Sequence, residues 1–320
     1  MAQHFLLSSA ARTLSLKAVM RMSEEEAREA FARIRWHDRN GKPHCSRCGS
    51  VELYICKAEH LWKCKGCGYR FSVTSGTIFA SHKLTLRDIL AAIAIFVNGA
   101  KGHSALQLSR ELDVQYKTAF VLSHKIREAL CAKKRESTVS GEVEVDGAYF
   151  GGHIRPANYK ENRRDRRLAK NQTGKRRVVV IMRERNGQTL PFVFRTEDEA
   201  IYTICDRVQP GSTIHADEAS SWDMLHARYL TKRINHSENY SHDGACTNQA
   251  ESFFSRVRRA EIGTHHHIAG PYLGSYAGEM AWREDHRRVS NGEQYLLATN
   301  AALRHPVSRL WKGYWQRAAF

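Results

Sequence analysis

Gly141-Glu-Val-Glu-Val-Asp146 is the stretch that decides the fold. Acidic and apolar residues alternate with a period of two, which predicts a strand with Glu142, Glu144 and Asp146 on one face. Three acids do not suit an apolar core face. Either that face meets solvent and Asp146 is a turn residue, or its end is a cation site. Asp146 is expected at the C-terminal end of the strand. Gly147 and Gly151-Gly152 follow it and would let another backbone come close. Such strand ends are where α/β sheets hold ligands.

Working outward, Ser212-Thr-Ile-His-Ala-Asp217 predicts a second strand closed by an acid. Asp217 reads equally as the N-cap of a following helix. Asn248-Gln-Ala-Glu-Ser-Phe-Phe-Ser-Arg-Val-Arg258 has helical spacing, and Glu251 could belong to a capping box with Asn248. Between these lie two more predicted strands, 177–182 and 190–195, joined by the turn signal Asn186-Gly187. Helices are expected over 197–208 and about 220–229. Strand, hairpin, helix, strand, helix is an α/β order with helices packed on a mixed sheet. The three acids Asp146, Asp217 and Glu251 thus fall on three separate element ends, with Glu144, Glu218 and Asp223 as competing acids. Carboxylates are ligands of hard divalent cations, and two such cations can stabilise both the attacking and the leaving oxygen at a phosphate. Arg258 stands two helical turns after Glu251, placed to meet that phosphate. The basic loop 155–177, with Arg163-Arg-Asp-Arg-Arg167 at its centre, and the stretch His265–His267 are surface loops or contacts to a nucleic-acid backbone.

The first 135 residues have a different character. Cys45-Ser-Arg-Cys48 and Cys64-Lys-Gly-Cys67 have the spacing of a zinc ribbon, two knuckles completing one tetrahedral Zn²⁺ site. The segment Val51 to Lys63 is expected to pair as two strands, and Cys56 reads as a small apolar residue. So small a module has little core, so the metal should supply much of its folding energy. Ahead of it, Ser23 and Glu26 form a capping-box pattern. Behind it, 84–130 reads as helical. Leu108 and Leu112, a turn at Asp113-Val114 and a helix from Gln115 fit a helix-turn-helix or an ordinary helical hairpin. Tyr116, Lys117, His124, Lys125 and Arg127 on its second helix suit a recognition helix. The expected organisation is therefore an N-terminal helical segment (1–40), a zinc ribbon (41–80), a helix-turn-helix region (81–135), an α/β domain (140–290) and a C-terminal tail (291–320).

The chain of 320 residues carries a net charge of +17, which favours a polyanionic partner through counterion release. A hydrophobic fraction of 42% supports a packed core. No apolar run reaches the roughly 18–20 residues of a membrane span, and Arg12 and Lys17 interrupt the mildly apolar N-terminus, so neither a membrane nor a signal peptide is expected. Paired Cys-x-x-Cys motifs fit a reducing cytoplasm.

Taken together, several segments resemble the DDE transposases of bacterial insertion sequences that carry an N-terminal zinc ribbon, the ISXO-like group. They are Arg35-Trp36, the four ribbon cysteines, Thr74-Ser-Gly-Thr-Ile-Phe79, Ser104-Ala-Leu-Gln-Leu-Ser-Arg-Glu-Leu112, Glu144-Val-Asp-Gly-Ala-Tyr-Phe-Gly-Gly152, His215-Ala-Asp217, 248–258, Gly263-Thr-His-His-His-Ile268 through Tyr272-Leu273, and Glu279-Met-Ala-Trp-Arg283. The resemblance covers about residues 15 to 290. It implies a ribonuclease H-like catalytic domain in which Asp146, Asp217 and Glu251 hold two Mg²⁺ (or Mn²⁺) ions, with Arg258 as the basic residue that follows. It further implies binding of element ends by the ribbon and the helix-turn-helix, with Tyr116, Lys117 and Lys125 on DNA. Hydrolysis would free a 3′-hydroxyl and transesterification would join it to target DNA. The enzyme would act as a homo-oligomer on DNA in the bacterial cytoplasm, at the nucleoid, without a small-molecule substrate. Two features depart from the pattern or compete with it: Glu284-Asp285-His286-Arg287 stands where the family has an Asn soon after the Arg matching Arg283, and Asn248 competes with Glu251 as third ligand. The rival readings are a DNA-binding regulator with an inactive ribonuclease H-like domain, and a resolvase or nuclease without strand transfer.

Overall fold

The computed structural model describes residues 4–151, 159–163, 168, 171, 174–235 and 246–316. Gly152, residues 164–167 of the Arg-rich run and much of the loop 155–177 lie outside the described residues. The chain forms two compact units, Met1–Ala132 with Arg288–Phe320, and Lys133–Arg287.

In the first unit, α1 (Leu16–Met20) precedes α2 (Glu24–Arg35). The Ser23–Glu26 capping box forms in full, each side chain accepting from the other residue's backbone N–H. α2 buries Ala27 and Phe31. Strands β1 (Leu53–Cys56), β2 (Leu61–Cys64) and β3 (Arg70–Phe71) make an antiparallel sheet in that order. Its apolar side is aromatic: Trp62 lies edge-on to Trp36 at 5.5 Å and against Phe71 at 5.8 Å. Helix α3 (Leu86–Asn98) is buried continuously from Ile89 to Val97, as a helix apolar on all sides must be. Helices α4 (Ala105–Glu111) and α5 (Tyr116–Cys131) follow, joined by a turn in which Asp113 is left-handed.

The segment expected as a tail behaves differently. α9 (Asn291–Arg304) buries Tyr295, Ala298, Ala302 and Leu303 and packs on α2, α3 and α5. Asn291 ties its start to the N-terminal stretch, accepting from the backbone N–H of Thr13 and Leu14 at 2.8 Å each.

The second unit is built on a five-stranded sheet, in the order β6 (Thr189–Phe194), β5 (Arg177–Glu184), β4 (Glu142–Phe150), β7 (Thr213–Asp217), β8 (Leu230–Ile234). β4, β5 and β6 are antiparallel neighbours, whereas β4, β7 and β8 run parallel. The β5–β6 hairpin turns at Asn186, which takes a left-handed backbone. One face of the sheet, with Val143, Val145, Val178, Val180 and Met182, packs on α6 (Ile201–Arg207) and the 3-10 helix Ser220–Ala227. That segment was expected as an α-helix. The other face, with Ala148, Phe150, Val179 and Ile181, packs on α7 (Asn248–Ala260) and α8 (Gly270–Asp285).

β4 also corrects the sequence reading. The strand does not close at Asp146 but runs on to Phe150. Ala148 and Phe150 continue the alternation on the acid face, and β5 pairs with the whole length. Asp285, in the run that departs from the family pattern, is a clasp for this sheet: it accepts from Thr189 N, Thr189 Oγ1 and Arg183 Nη1 at 2.9–3.0 Å and pairs with Lys134.

Candidate active site and metal centre

The parallel ladder between β4 and β7 is short. It runs from Glu142↔Thr213 to Glu144↔His215 and stops. Asp146 and Asp217 are each two residues further on, so both point to the same face as that last rung. β7 continues to pair only with β8 there, at Asp217↔Ile234. The two aspartates therefore flank the place where neighbouring parallel strands part. That is a crevice of the kind in which α/β sheets bind ligands.

Each aspartate is held. Gly147 N–H donates to Asp146 Oδ1 at 2.7 Å. Asp217 Oδ1 accepts from Ala219 N–H at 3.1 Å and from the indole N–H of Trp222 at 2.8 Å. Trp222 is fully buried, so the indole is a fixed donor. The N-cap alternative for Asp217 is thus realised only as a local turn bond.

Glu251 lies in the first turn of α7. The capping box with Asn248 does not form: the N-cap is Thr247, without a side-chain bond, and Asn248 is exposed. Glu144 takes the role from a distance. Its carboxylate is fully buried and accepts from the Gln249 and Ala250 N–H groups at 2.8 and 3.0 Å. An acid at a helix N-terminus satisfies orphan donors and the helix dipole together. Arg185 backs it at 3.2 Å and also pairs with Glu142. The acid face of β4 thus serves three ends: Glu142 on the surface, Glu144 under α7, Asp146 in the crevice.

The electrostatics show which acids act on one another. Burial, then the charge of Asp217, raises the Asp146 carboxyl to about 7, with Glu251 and Glu197 adding to the rise. Asp146, Asp217 and Glu251 therefore share one field. Glu218 and Asp223 are exposed, and Asp223 pairs with Arg233. Glu197 is the acid that sequence reasoning missed. It is half-buried, its carboxyl is raised by burial and then by Asp217, and it accepts from Ser221 Oγ at 3.3 Å. It lies so close over β4 that a side chain at Gly147 would come within 2.8 Å of its Oε1. In sequence it looks like one of several acids favouring a helix start, which hides it.

Arg258 is exposed on α7, its guanidinium 5.8 Å from the ring of Phe150 at the end of β4. In the histidine stretch, His265 packs edge-on to Tyr276 at 4.5 Å. On α5, Tyr116 and Lys117 are exposed and Lys125 is half-buried. His124 and Arg127 are buried, against Trp311 and Phe96 respectively, so neither can be a groove contact.

Among the described residues, Cys45, Cys48, Cys64 and Cys67 are the one group of three or more His, Cys, Asp or Glu whose ligand atoms all lie within 4.8 Å of one another. The sulfurs of Cys45 and Cys67 are 3.6 Å apart, and those of Cys48 and Cys64 are 3.5 Å apart. A tetrahedral Zn²⁺ with Zn–S of about 2.3 Å sets its sulfurs about 3.8 Å apart, so the donors fit that ion. The Cys67 N–H, 3.5 Å from Cys64 Sγ, holds that thiol down to about 6 and favours the thiolate a metal needs. The crevice acids do not close to the same spacing. They are hard oxygen donors whose mutual repulsion a divalent cation would relieve, so their chemistry suits Mg²⁺ or Mn²⁺.

Two segments of the chain match known family models. Residues 138–285 match the family model of the ISXO2-like transposase domain, and residues 22–70 match that of a transposase zinc-ribbon domain. A protein of Halobacterium salinarum, described as an uncharacterized protein in transposable element ISH50, is 25% identical over 292 residues, covering 88% of this chain and 98% of its own. Among solved structures, the Mos1 strand transfer complex is similar with a TM-score of 0.26 and 11% identity, over 66% of this chain and 78% of that one. A likeness so low carries no argument. Among the described residues no helix is long and apolar enough to cross a membrane.

Proposed function

Because this chain belongs with the zinc-ribbon DDE transposases of the ISXO2-like family, we propose that Asp146, Asp217 and Glu251 form the catalytic centre of a DNA strand-transfer enzyme. The observation that carries the reading is the convergence itself: Asp146 and Asp217 two residues past the last β4–β7 rung, with Glu251 close enough for its charge to act on Asp146. The mixed sheet, antiparallel on one side of β4 and parallel on the other, supports a ribonuclease H-like catalytic domain.

Two divalent cations held by these acids would make a water or a 3′-hydroxyl nucleophilic and stabilise charge on the phosphate under attack. The chain's own residues do the positioning. Trp222 and Ala219 orient Asp217, Gly147 N–H orients Asp146, and Glu144 anchors the helix that carries Glu251. Arg258, exposed two turns along α7, meets the DNA backbone. Hydrolysis at an element end frees a 3′-hydroxyl, and the same centre then aligns that hydroxyl on a target phosphodiester. Alignment and charge stabilisation account for the rate without a covalent intermediate. The ribbon, holding Zn²⁺ on Cys45, Cys48, Cys64 and Cys67, and the α4–α5 pair, through Tyr116, Lys117 and Lys125, bind the element ends. Pairing two ends calls for a homo-oligomer.

The test uses purified protein, labelled duplexes made from the DNA flanking its own gene, Mg²⁺ or Mn²⁺ and a target plasmid. Metal-dependent joining of label to plasmid, abolished by Asp146→Asn while end binding persists, is the expected result. Cutting without joining would leave a nuclease. End binding without cutting in either protein would overturn the enzymatic reading in favour of a DNA-binding protein with an inactive domain.

A further inference from the structure

The first unit contains a groove of about 570 Å³, within the roughly 300–1,000 Å³ typical of ligand sites. Its walls are the 79–84 turn, α5 and the segment 311–316. Two properties set it apart. Lys83, Lys117, Lys125 and Lys312 line it, whereas no Asp or Glu stands among the described lining residues. And one wall is aromatic, made of Trp311, Tyr314 and Trp315.

The aromatic wall is built, not frayed. Phe120 of α5 is the hub on which the Trp311, Tyr314 and Trp315 rings converge, at 5.9, 6.1 and 6.0 Å. Trp311 is buried and stacks on His124 at 4.3 Å, which anchors the segment. Trp315, by contrast, is 48% exposed, with the Lys117 ammonium 5.3 Å from its ring. A segment anchored by its ring contacts that leaves an indole open beside a cation can serve as a stacking platform. Lys125 lies deeper. Burial lowers its pKa, against the opposing charge of Glu128 one turn on, so an anion in the groove would restore what the ammonium has lost in hydration. Stacking surface plus four lysines, with Glu128 the acid that acts on Lys125 and no acid among the described lining residues, matches one ligand chemistry: an unstacked base attached to a sugar–phosphate backbone. A duplex keeps its bases stacked inside and cannot offer one.

We propose that this groove binds an unpaired nucleotide of a DNA strand, with its base stacked on Trp315, Tyr314 standing edge-on beside that ring, and its adjoining phosphates on Lys117 and Lys125. This gives α5 a second task beside duplex contact, and a frayed or displaced nucleotide at an element end is the substrate feature it would hold. The inference rests on the reading that the chain works on DNA.

The test uses the full, zinc-loaded chain and a short oligothymidylate with one 5-iododeoxyuridine, photocrosslinked and mapped by peptide mass spectrometry. The crosslink is expected on Tyr314 or Trp315, competed by single strands and poorly by blunt duplex. Trp315→Leu should weaken single-strand binding about tenfold, the effect of losing one stacked base. Lys117→Gln, at the exposed start of α5, should lower the salt slope of that binding by roughly 0.7, one phosphate's worth on a single strand, and it serves if Trp315→Leu does not fold. Crosslinks confined to residues outside the groove, or single-strand affinity untouched by either folded variant, would overturn the proposal and leave the platform to a protein partner. Strand transfer that survives without the crosslink would sink this inference alone; a crosslink in a chain that never cuts would sink the enzymatic reading alone.

Discussion

Asp146 is held in its place against its own ionisation. Its folded carboxyl titrates at about 7, raised first by burial and then by Asp217, whereas an unfolded Asp titrates near 3.9. A carboxyl raised on folding contributes stability that is complete below the unfolded value and is lost as pH climbs through the folded one. Without a divalent cation the protein should therefore lose stability between about pH 4 and pH 7, by at most about 4 kcal/mol from this group. Asp146→Asn should remove that loss, and at pH 8 the variant should melt above wild type in magnesium-free buffer with zinc retained. Adding Mg²⁺ should then raise the wild-type melting temperature and leave the variant unmoved; equal responses from the two would remove Asp146 from the metal site. Trp222→Phe tests the other aspartate. It keeps an aromatic side chain but deletes the donor to Asp217 and leaves a small cavity in the core, so melting should fall modestly while strand transfer falls about tenfold, as when a ligand's supporting partner is removed. At this scale the sequence reading named Asp146, Asp217 and Glu251, because acids at element ends break the apolar pattern. Trp222 and Glu197 could not be named: the one reads as core and the other as a helix-start acid, and only the fold turns them toward the crevice.

Elements explain what Glu144, a competing acid in the sequence, does in the fold. It is a cap placed on α7 by a strand far away in sequence. Periodicity gives the face on which a residue lies but not which helix will cover that face. Glu144→Gln keeps the shape, removes the charge at the N-terminus of α7 and leaves Arg185 with a weaker partner. Breaking a buried charged pair of this kind should destabilise the second unit by about 3–5 kcal/mol. Because α7 carries Glu251, activity should drop further than stability does; an unchanged urea midpoint would show that α7 needs no such anchor. The β4 boundary has the same lesson. Asp146 reads as the end of the strand, yet Ala148 and Phe150 keep the alternation and β5 pairs through Gly147, so the strand continues. α5 too was read residue by residue as a surface helix. Five basic or aromatic side chains looked available, but its length carries His124 and Arg127 into the core.

At the scale of the whole molecule, the chain leaves its first unit at Ala132 and returns at Arg288. No local signal announces such a return, which is why 291–320 read as a tail although α9 has ordinary helical spacing. The ribbon was legible for the opposite reason, since four cysteines in two tight knuckles define a site by spacing alone. That site makes the last prediction. Its three strands bury few apolar side chains beyond Trp62 and Phe71, with Tyr54 and Ile55 exposed, so the metal must carry folding energy that a core would otherwise supply. Chelating zinc, or Cys45→Ser, should unfold the ribbon and abolish binding of element ends. The rise in melting temperature that Mg²⁺ gives the Lys133–Arg287 unit should survive, because the crevice acids and every partner described for them lie within that unit. Circular dichroism with and without chelator, followed by the Mg²⁺ melting shift, separates the two effects. Loss of the Mg²⁺ shift along with the ribbon would mean that the crevice is not assembled by its own unit, and the independence of the two metal centres would fall.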